Sequence, residues 1–227
     1  MLSLKNVSKG FGGVKAVDRC TFDVEENTIT SLIGPNGAGK TTAFNIISGL
    51  TKPDSGTIKL LGKNVTNLPA YKIAQAGISR TFQITKVFRN MTIKDNLLIA
   101  KYTNENKMKK VLGSVFLQKP LQTIASELSY GQQRLLEIAR ALLMPHSLLM
   151  LDEPTAGVNP KIRQELKTIL KNLRKDGKTI LLIEHDMNFV MSISDTVIVL
   201  NEGKVLKSGK PKDIMKDKRV LEAYLGK

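Results

Sequence analysis

The spacing of apolar positions changes several times along this chain, and each change marks an element. From Leu2 to Val24 apolar and polar residues alternate enough to predict short strands, with Glu25-Glu26-Asn27 as a turn. Thr28 to Ile33 predicts a buried strand that runs directly into a glycine-rich loop, and Thr42 to Leu50 predicts the helix beyond it. Thr57 to Leu61 reads as a strand closed at Gly62-Lys63. Thr92, with Asp95 in capping-box position, predicts a helix to about Lys101. Tyr102 to Ala125 is polar, lysine-rich and without a clear period.

Regular spacing returns at Gly131. Leu135, Ile138, Ala139 and Leu142 fall on one helical face, so Gln132 to Met144 predicts an amphipathic helix stopped by Pro145. Ser147 to Leu151 is a short apolar run suited to a central parallel strand covered on both faces. Ile162, Leu166, Ile169, Leu170 and Leu173 give a second helical stripe, ended by Gly177. Thr179 to Ile183 and Thr196 to Leu200 predict two further strands. Strands alternating with helices of this length indicate an α/β fold, a mainly parallel sheet with helices on both sides.

Composition narrows the class. The 227 residues, 41% hydrophobic and 24% charged, suffice for one α/β domain carrying a small insertion. No apolar run approaches the roughly 20 residues needed to cross a bilayer. Met1 to Asn6 lacks a basic segment followed by an apolar one, which predicts a chain that is not exported. The single cysteine, Cys20, excludes an internal disulfide framework and a cysteine-clustered zinc site. The net charge of +15 is concentrated: Lys52 to Lys110 holds 12 basic and 3 acidic residues. Nucleic acid, anionic lipid and a solvated lysine-rich surface all fit such an excess.

The candidate chemistry begins at Gly34-Pro35-Asn36-Gly37-Ala38-Gly39-Lys40-Thr41, which matches the phosphate-binding pattern G-x-x-x-x-G-K-[ST] in the required strand–loop–helix context. Glycines let backbone N–H groups curl around phosphates, and the helix that Thr42 opens turns its positive end toward them. Lys40 is placed to neutralise β- and γ-phosphate oxygens of ATP and the Thr41 hydroxyl to ligate Mg²⁺. A second element should be an acid ending an apolar strand, and Leu148-Leu149-Met150-Leu151-Asp152-Glu153 supplies it. Asp152 is the candidate Mg²⁺ ligand. Glu153 is the candidate general base for a water in line with the γ-phosphate.

At these residues the chain resembles the ATP-binding cassette (ABC) ATPases. Leu128-Ser129-Tyr130-Gly131-Gln132 is similar to that family's signature, with Tyr130 replacing a glycine, and it precedes the acidic pair at the family's spacing. The resemblance implies that Ser129, Gly131 and Gln132 contact nucleotide. It makes Gln83, in Arg80-Thr81-Phe82-Gln83, the Q-loop glutamine, touching Mg²⁺ and the attacking water. His185 becomes the switch histidine, Ala156-Gly157-Val158-Asn159 the D-loop, and Phe11 the ring stacked on adenine. It also implies a P-loop NTPase core at residues 1–82 and 129–227, an antiparallel β subdomain, and a helical insertion at 83–128. Two cassettes would sandwich two ATP molecules head-to-tail, the signature of one completing the site of the other.

Further details resemble the branched-chain amino-acid (Liv-type) importer cassettes. They are Phe11-Gly12-Gly13 with Ala16-Val17, Arg80-Thr81-Phe82-Gln83, the signature followed by Gln133, Glu184-His185-Asp186-Met187, and Ala223-Tyr224-Leu225-Gly226. The insertion between Gln83 and Leu128 is shorter than that subfamily leads one to expect. The implied partners are hydrophobic permease subunits, a second cassette (a copy or a paralogue) and, indirectly, a solute-binding protein, with the chain peripheral on the cytoplasmic face of the membrane. A lipid- or lipopolysaccharide-exporting cassette is the alternative. A nucleic-acid-linked cassette is disfavoured, because the chain has neither a long coiled-coil or cysteine-metal insertion nor a tandem second cassette.

Overall fold

The computed structural model describes residues 1–83 and 85–225, so the Gly226 of the C-terminal motif lies outside the described residues. Strands β1 (Leu2–Phe11) and β2 (Val14–Val24) form an antiparallel hairpin around Gly12-Gly13. They are long strands rather than the short ones the alternation predicts. The reason is a set of register shifts between Leu4 and Gly10, with Asn6 and Arg19 at positive φ, which interrupt the period without ending the strand. Strand β4 (Ser55–Leu60) pairs with β1 and turns back at Leu61-Gly62 into the short β5 (Lys63–Asn64), completing a sheet of order β2-β1-β4-β5.

The larger sheet has the order β10-β9-β3-β8-β7-β6. Its members are β3 (Ile29–Ile33), β6 (Ile78–Arg80), β7 (Leu148–Asp152), β8 (Thr179–Ile183), β9 (Thr196–Asn201) and β10 (Lys204–Gly209). All neighbours are parallel except the edge hairpin β9–β10. Helix α1 (Lys40–Ile47) lies between the sheets, its wholly buried Phe44 clustered with Leu4, Val7 and Ile58 of one and Met150 and Leu181 of the other. The opposite faces of β7 and β8, Leu149, Leu151, Ile180 and Leu182, pack on α5 (Tyr130–Leu143) and α6 (Pro160–Lys175). Central strands covered on both faces account for their unbroken apolar sequences.

The segment before α5 carries α2 (Ala70–Gln75), α3 (Ile93–Ala100) and α4 (Glu105–Ser114). The Thr92–Asp95 capping box is present at α3. Helix α4 falls in the lysine-rich stretch read above as lacking a clear period, and it corrects that reading. It buries Met108 and Leu112, with Val111 partly buried beside them and Val115 buried at its end, so a stripe at i, i+3, i+4 and i+7 runs through a lysine-rich stretch. Asn104 caps it, accepting from the Lys107 amide at 2.9 Å. Met108 and Leu112 join Ile93 and Leu97 of α3 and Leu135, Leu136 and Ile138 of α5 in one cluster. Beyond β8 come α7 (Met187–Ile193), α8 (Pro211–Ile214) and α9 (Lys218–Leu225). No described helix is long and apolar enough to cross a membrane.

Cys20 is buried beneath the hairpin, and desolvation pushes its thiol up to about 12. A thiol reagent at neutral pH should therefore label only a trace of the native protein and one thiol per chain in denaturant. Rapid stoichiometric labelling of the native chain would contradict this packing.

Candidate active site

The parallel order of β3, β8, β7 and β6 brings four carboxyl ends to one edge of the sheet. From β3 leads the loop Gly34–Lys40, from β7 Glu153, from β8 His185, and from β6 Gln83. A cleft of about 480 Å³ opens there, lined by Ala16, Asn36, Gly37, Ala38, Gly39, Lys40, Thr41, Thr42, Gln83, Glu153 and His185. Residues predicted from four separate stretches of sequence thus meet in one cavity.

Two glycines of the loop are required by close approach. A Cβ on Gly34 (φ 152) would lie 2.1 Å from the Leu200 carbonyl oxygen, and one on Gly39 (φ 96) 2.1 Å from that of Ala16. The loop is braced from outside: the Gly203 amide donates to the Ala38 carbonyl (3.1 Å) and the Asp18 amide to the Gly203 carbonyl (2.9 Å). Lys40 is 6% exposed, and its ammonium donates to the Gly34 and Pro35 carbonyls at 2.8 and 2.9 Å. Burial lowers its pKa, opposed by the nearby Glu153 and Asp152 carboxylates.

Glu153 adopts a left-handed backbone (φ 47), uncommon for a residue with a Cβ. Its amide still donates to the Ile183 carbonyl at 3.0 Å, continuing the β7–β8 ladder by one bond while the chain turns. The carboxylate is held at both oxygens. His185 Nε2 lies 2.7 Å from Oε1 and Gln83 Nε2 donates to Oε2 at 3.0 Å. The three residues predicted to act together are in direct contact.

Asp152 is buried, and Arg80 donates to its Oδ2 at 2.9 Å. Desolvation raises its pKa while the guanidinium acts against that rise. Arg80 also donates to Asn45 Oδ1 (2.9 Å) and Ser48 Oγ (2.8 Å) on α1, and its guanidinium lies 5.5 and 5.1 Å from the Phe44 and Phe82 rings. Mg²⁺ takes oxygen ligands and usually completes its shell with water and phosphate. Thr41, Asp152 and Gln83 offer oxygens, and among the described residues no cluster of three His, Cys, Asp or Glu forms an all-protein cage. The residues present fit that ion.

Other predicted residues lie elsewhere. Ser129 and Gln132 form a reciprocal capping box at the start of α5, which begins at Tyr130 rather than Gln132, and Gly131 abuts Ile162 of α6. None of them lines the cleft. The Tyr130 ring is partly exposed and rests against Gly157, with its hydroxyl turned back toward Arg134, while Asn159 caps α6. Phe11 is half-exposed at the hairpin end, and Ala16 carries that hairpin to the cleft. Tyr224 of the C-terminal motif is partly exposed, with the Gly34 backbone beside it.

Sequence reasoning gave no role to four residues. Arg80 is one, and Glu184 is another: its Oε1 accepts from the Thr155 amide and hydroxyl (2.8 and 2.6 Å) and its Oε2 from the His185 amide (3.0 Å). That carboxylate ties the loops after β7 and β8 together. Arg134 and Glu137 of α5 form a buried ion pair at 2.8 Å. The available signal was a charged residue on an apolar helical face or directly after an apolar strand.

Comparison with known proteins gives the family. The ABC transporter family model matches residues 17–156. The chain is 41% identical to the high-affinity branched-chain amino acid transport ATP-binding protein BraF of Pseudomonas aeruginosa and 42% identical to LivG of Escherichia coli K12, covering all of this chain and 98% of each relative. These alignments span 249 and 252 positions against 227 residues, so the relatives carry segments this chain lacks. The lipopolysaccharide export system ATP-binding protein LptB of Haemophilus influenzae is 31% identical, covering all of this chain and 97% of LptB. Among solved structures, a nucleotide-free ATP-binding cassette from an ABC transporter superposes with TM-score 0.93 at 32% identity, covering 100% and 99% of the two chains. A dimeric cassette in a post-hydrolysis state bound to ADP and Pi gives 0.82 at 28%, covering 93% of this chain and 99% of that one. With its phosphate loop, signature helix and acidic strand end in this fold, the chain belongs to the ABC transporter family of ATP-binding cassettes and is an ABC ATPase.

Proposed function

We propose that this chain is the ATP-binding and hydrolysing subunit that powers an importer of branched-chain amino acids, working as half of a head-to-tail cassette dimer on the cytoplasmic face of the membrane. The observation that carries the hydrolytic reading is the grip on Glu153 by His185 and Gln83 at the mouth of the phosphate cleft. Full-length identity with BraF and LivG supports the solute class. The lower identity with LptB favours a lipopolysaccharide exporter less. Its partners are permease subunits and a second cassette, with a solute-binding protein outside; nucleic acid has no part. The division into a catalytic core (1–82 and 129–227) and a helical insertion (83–128) belongs to the same proposal.

In this reading Phe11 stacks on adenine, and residues 34–42 wrap the phosphates with main-chain N–H groups. Lys40 exchanges its two carbonyl acceptors for β- and γ-phosphate oxygens. Thr41, Asp152 and Gln83 would hold Mg²⁺, whose charge offsets that of the phosphate oxygens. Glu153 takes the proton of the in-line water, and His185 faces the γ-phosphate. Ser129, Gly131 and Gln132 of the second cassette close the site.

Glu153→Gln should keep ATP affinity and lower turnover by about a hundredfold or more; near-normal turnover would remove Glu153 as the base. Lys40→Ala should lose nucleotide affinity in a fluorescent-ATP titration, and unchanged binding would reject the phosphate-loop assignment. Tagged protein captured from native membranes should bring down two permease-like chains, a second cassette and a solute-binding protein. Recovery of envelope-lipid export proteins would keep the ATPase chemistry and replace the solute.

A further inference from the structure

The segment that carries Gln83 is held largely through its backbone, and the holding side chains come from the signature helix α5. Arg134 is wholly buried. One of its terminal nitrogens donates to the Phe82 carbonyl at 2.6 Å, the other to the Gln83 carbonyl at 2.6 Å. Glu137, one turn along, pairs with Arg134 through Oε2 and accepts from the Phe82 and Lys86 amides through Oε1, at 3.4 and 3.3 Å. Arg140, a turn further, donates to the Lys86 carbonyl. The Gln83 side chain at the end of this scaffold donates to Glu153.

We infer that Arg134, locked by Glu137, is a positioning residue for hydrolysis: it sets where Gln83 stands relative to Glu153 and makes that placement follow the signature helix. The planar guanidinium suits the task, since it spans two adjacent carbonyls with a fixed fork that a lysine ammonium cannot reproduce. A helix backbone is stiff over the single turns separating residues 130, 134 and 137. The Tyr130 hydroxyl, in the signature itself, lies 3.5 Å from the same Arg134 nitrogen that reaches Gln83. A displacement at the signature is therefore felt at Gln83 without passing through the sheet. This inference rests on the ATPase reading above and adds a residue to it.

The test uses the full-length chain and two variants. Arg134→Lys keeps a charge beside Glu137 but loses the fork; Arg134→Met with Glu137→Leu removes the buried pair together, an exchange that cores commonly tolerate. Both should lower the hydrolysis rate constant by about tenfold or more, the scale set by misplacing a reacting group, with the Kd for fluorescent ATP within about twofold of wild type. Hydrogen exchange in the peptide containing Gln83 should accelerate while β3 and β8 keep wild-type protection. Unchanged rate constants, an affinity loss as large as the rate loss, or faster exchange throughout the sheet would overturn the inference. Wild-type protein without hydrolysis, or Glu153→Gln with full turnover, would defeat the ATPase reading instead, and the exchange pattern would then decide the Arg134 grip alone.

Discussion

The site depends on parallelism. Because β3, β8, β7 and β6 run the same way, each ends at the same edge, and each hands the chain to a loop there. Reversing any one strand would send its residue to the far side of the sheet, about 15 Å or more away for a five-residue strand. The apolar runs that make these strands central are thus also what assembles the chemistry. Covering both faces with helices supplies the burial that holds the strands parallel.

Against this frame, buried charge does the finer placement. Arg80 joins the Asp152 strand end to α1, Glu184 joins the loops after β7 and β8, and the Arg134–Glu137 pair joins α5 to the Gln83 segment. Such groups are poor sources of net stability, since desolvation offsets most of the attraction, yet removing one partner commonly costs about 3–5 kcal/mol. Their worth lies in direction. Apolar packing tolerates small slides, whereas a guanidinium fork or a carboxylate with both oxygens engaged has one geometry.

The central strands and the strong helices were legible because burial on both faces leaves unbroken apolar runs, and burial on one leaves a stripe, as at Leu166, Ile169, Leu170 and Leu173. The phosphate loop, Asp152 and Glu153 were legible because their chemistry restricts residue types at fixed spacing. Gln83, His185 and the signature could be placed only through the family resemblance, since a lone glutamine or histidine carries no such pattern. What escaped did so for physical reasons. The stripe of Met108, Val111, Leu112 and Val115 in α4 spans only two turns amid lysines, the hairpin's bulges disguised its length, and Arg80, Arg134, Glu137 and Glu184 look like ordinary surface charges until the fold buries them. The basic stretch Lys52–Lys110 shows the same ambiguity: most of its cations face solvent, and Arg80 alone of them contacts Asp152.

The contacts from α5 to the Gln83 segment reach main-chain carbonyls and amides, which every amino acid but proline supplies alike. Such an attachment is blind to side-chain identity. Exposed residues of that segment, such as Lys86, are free to drift in sequence under selection by whatever protein they face, and the mechanical joint to the cassette survives each change. The outer surface of the segment can in this way change while its attachment to α5 stays the same.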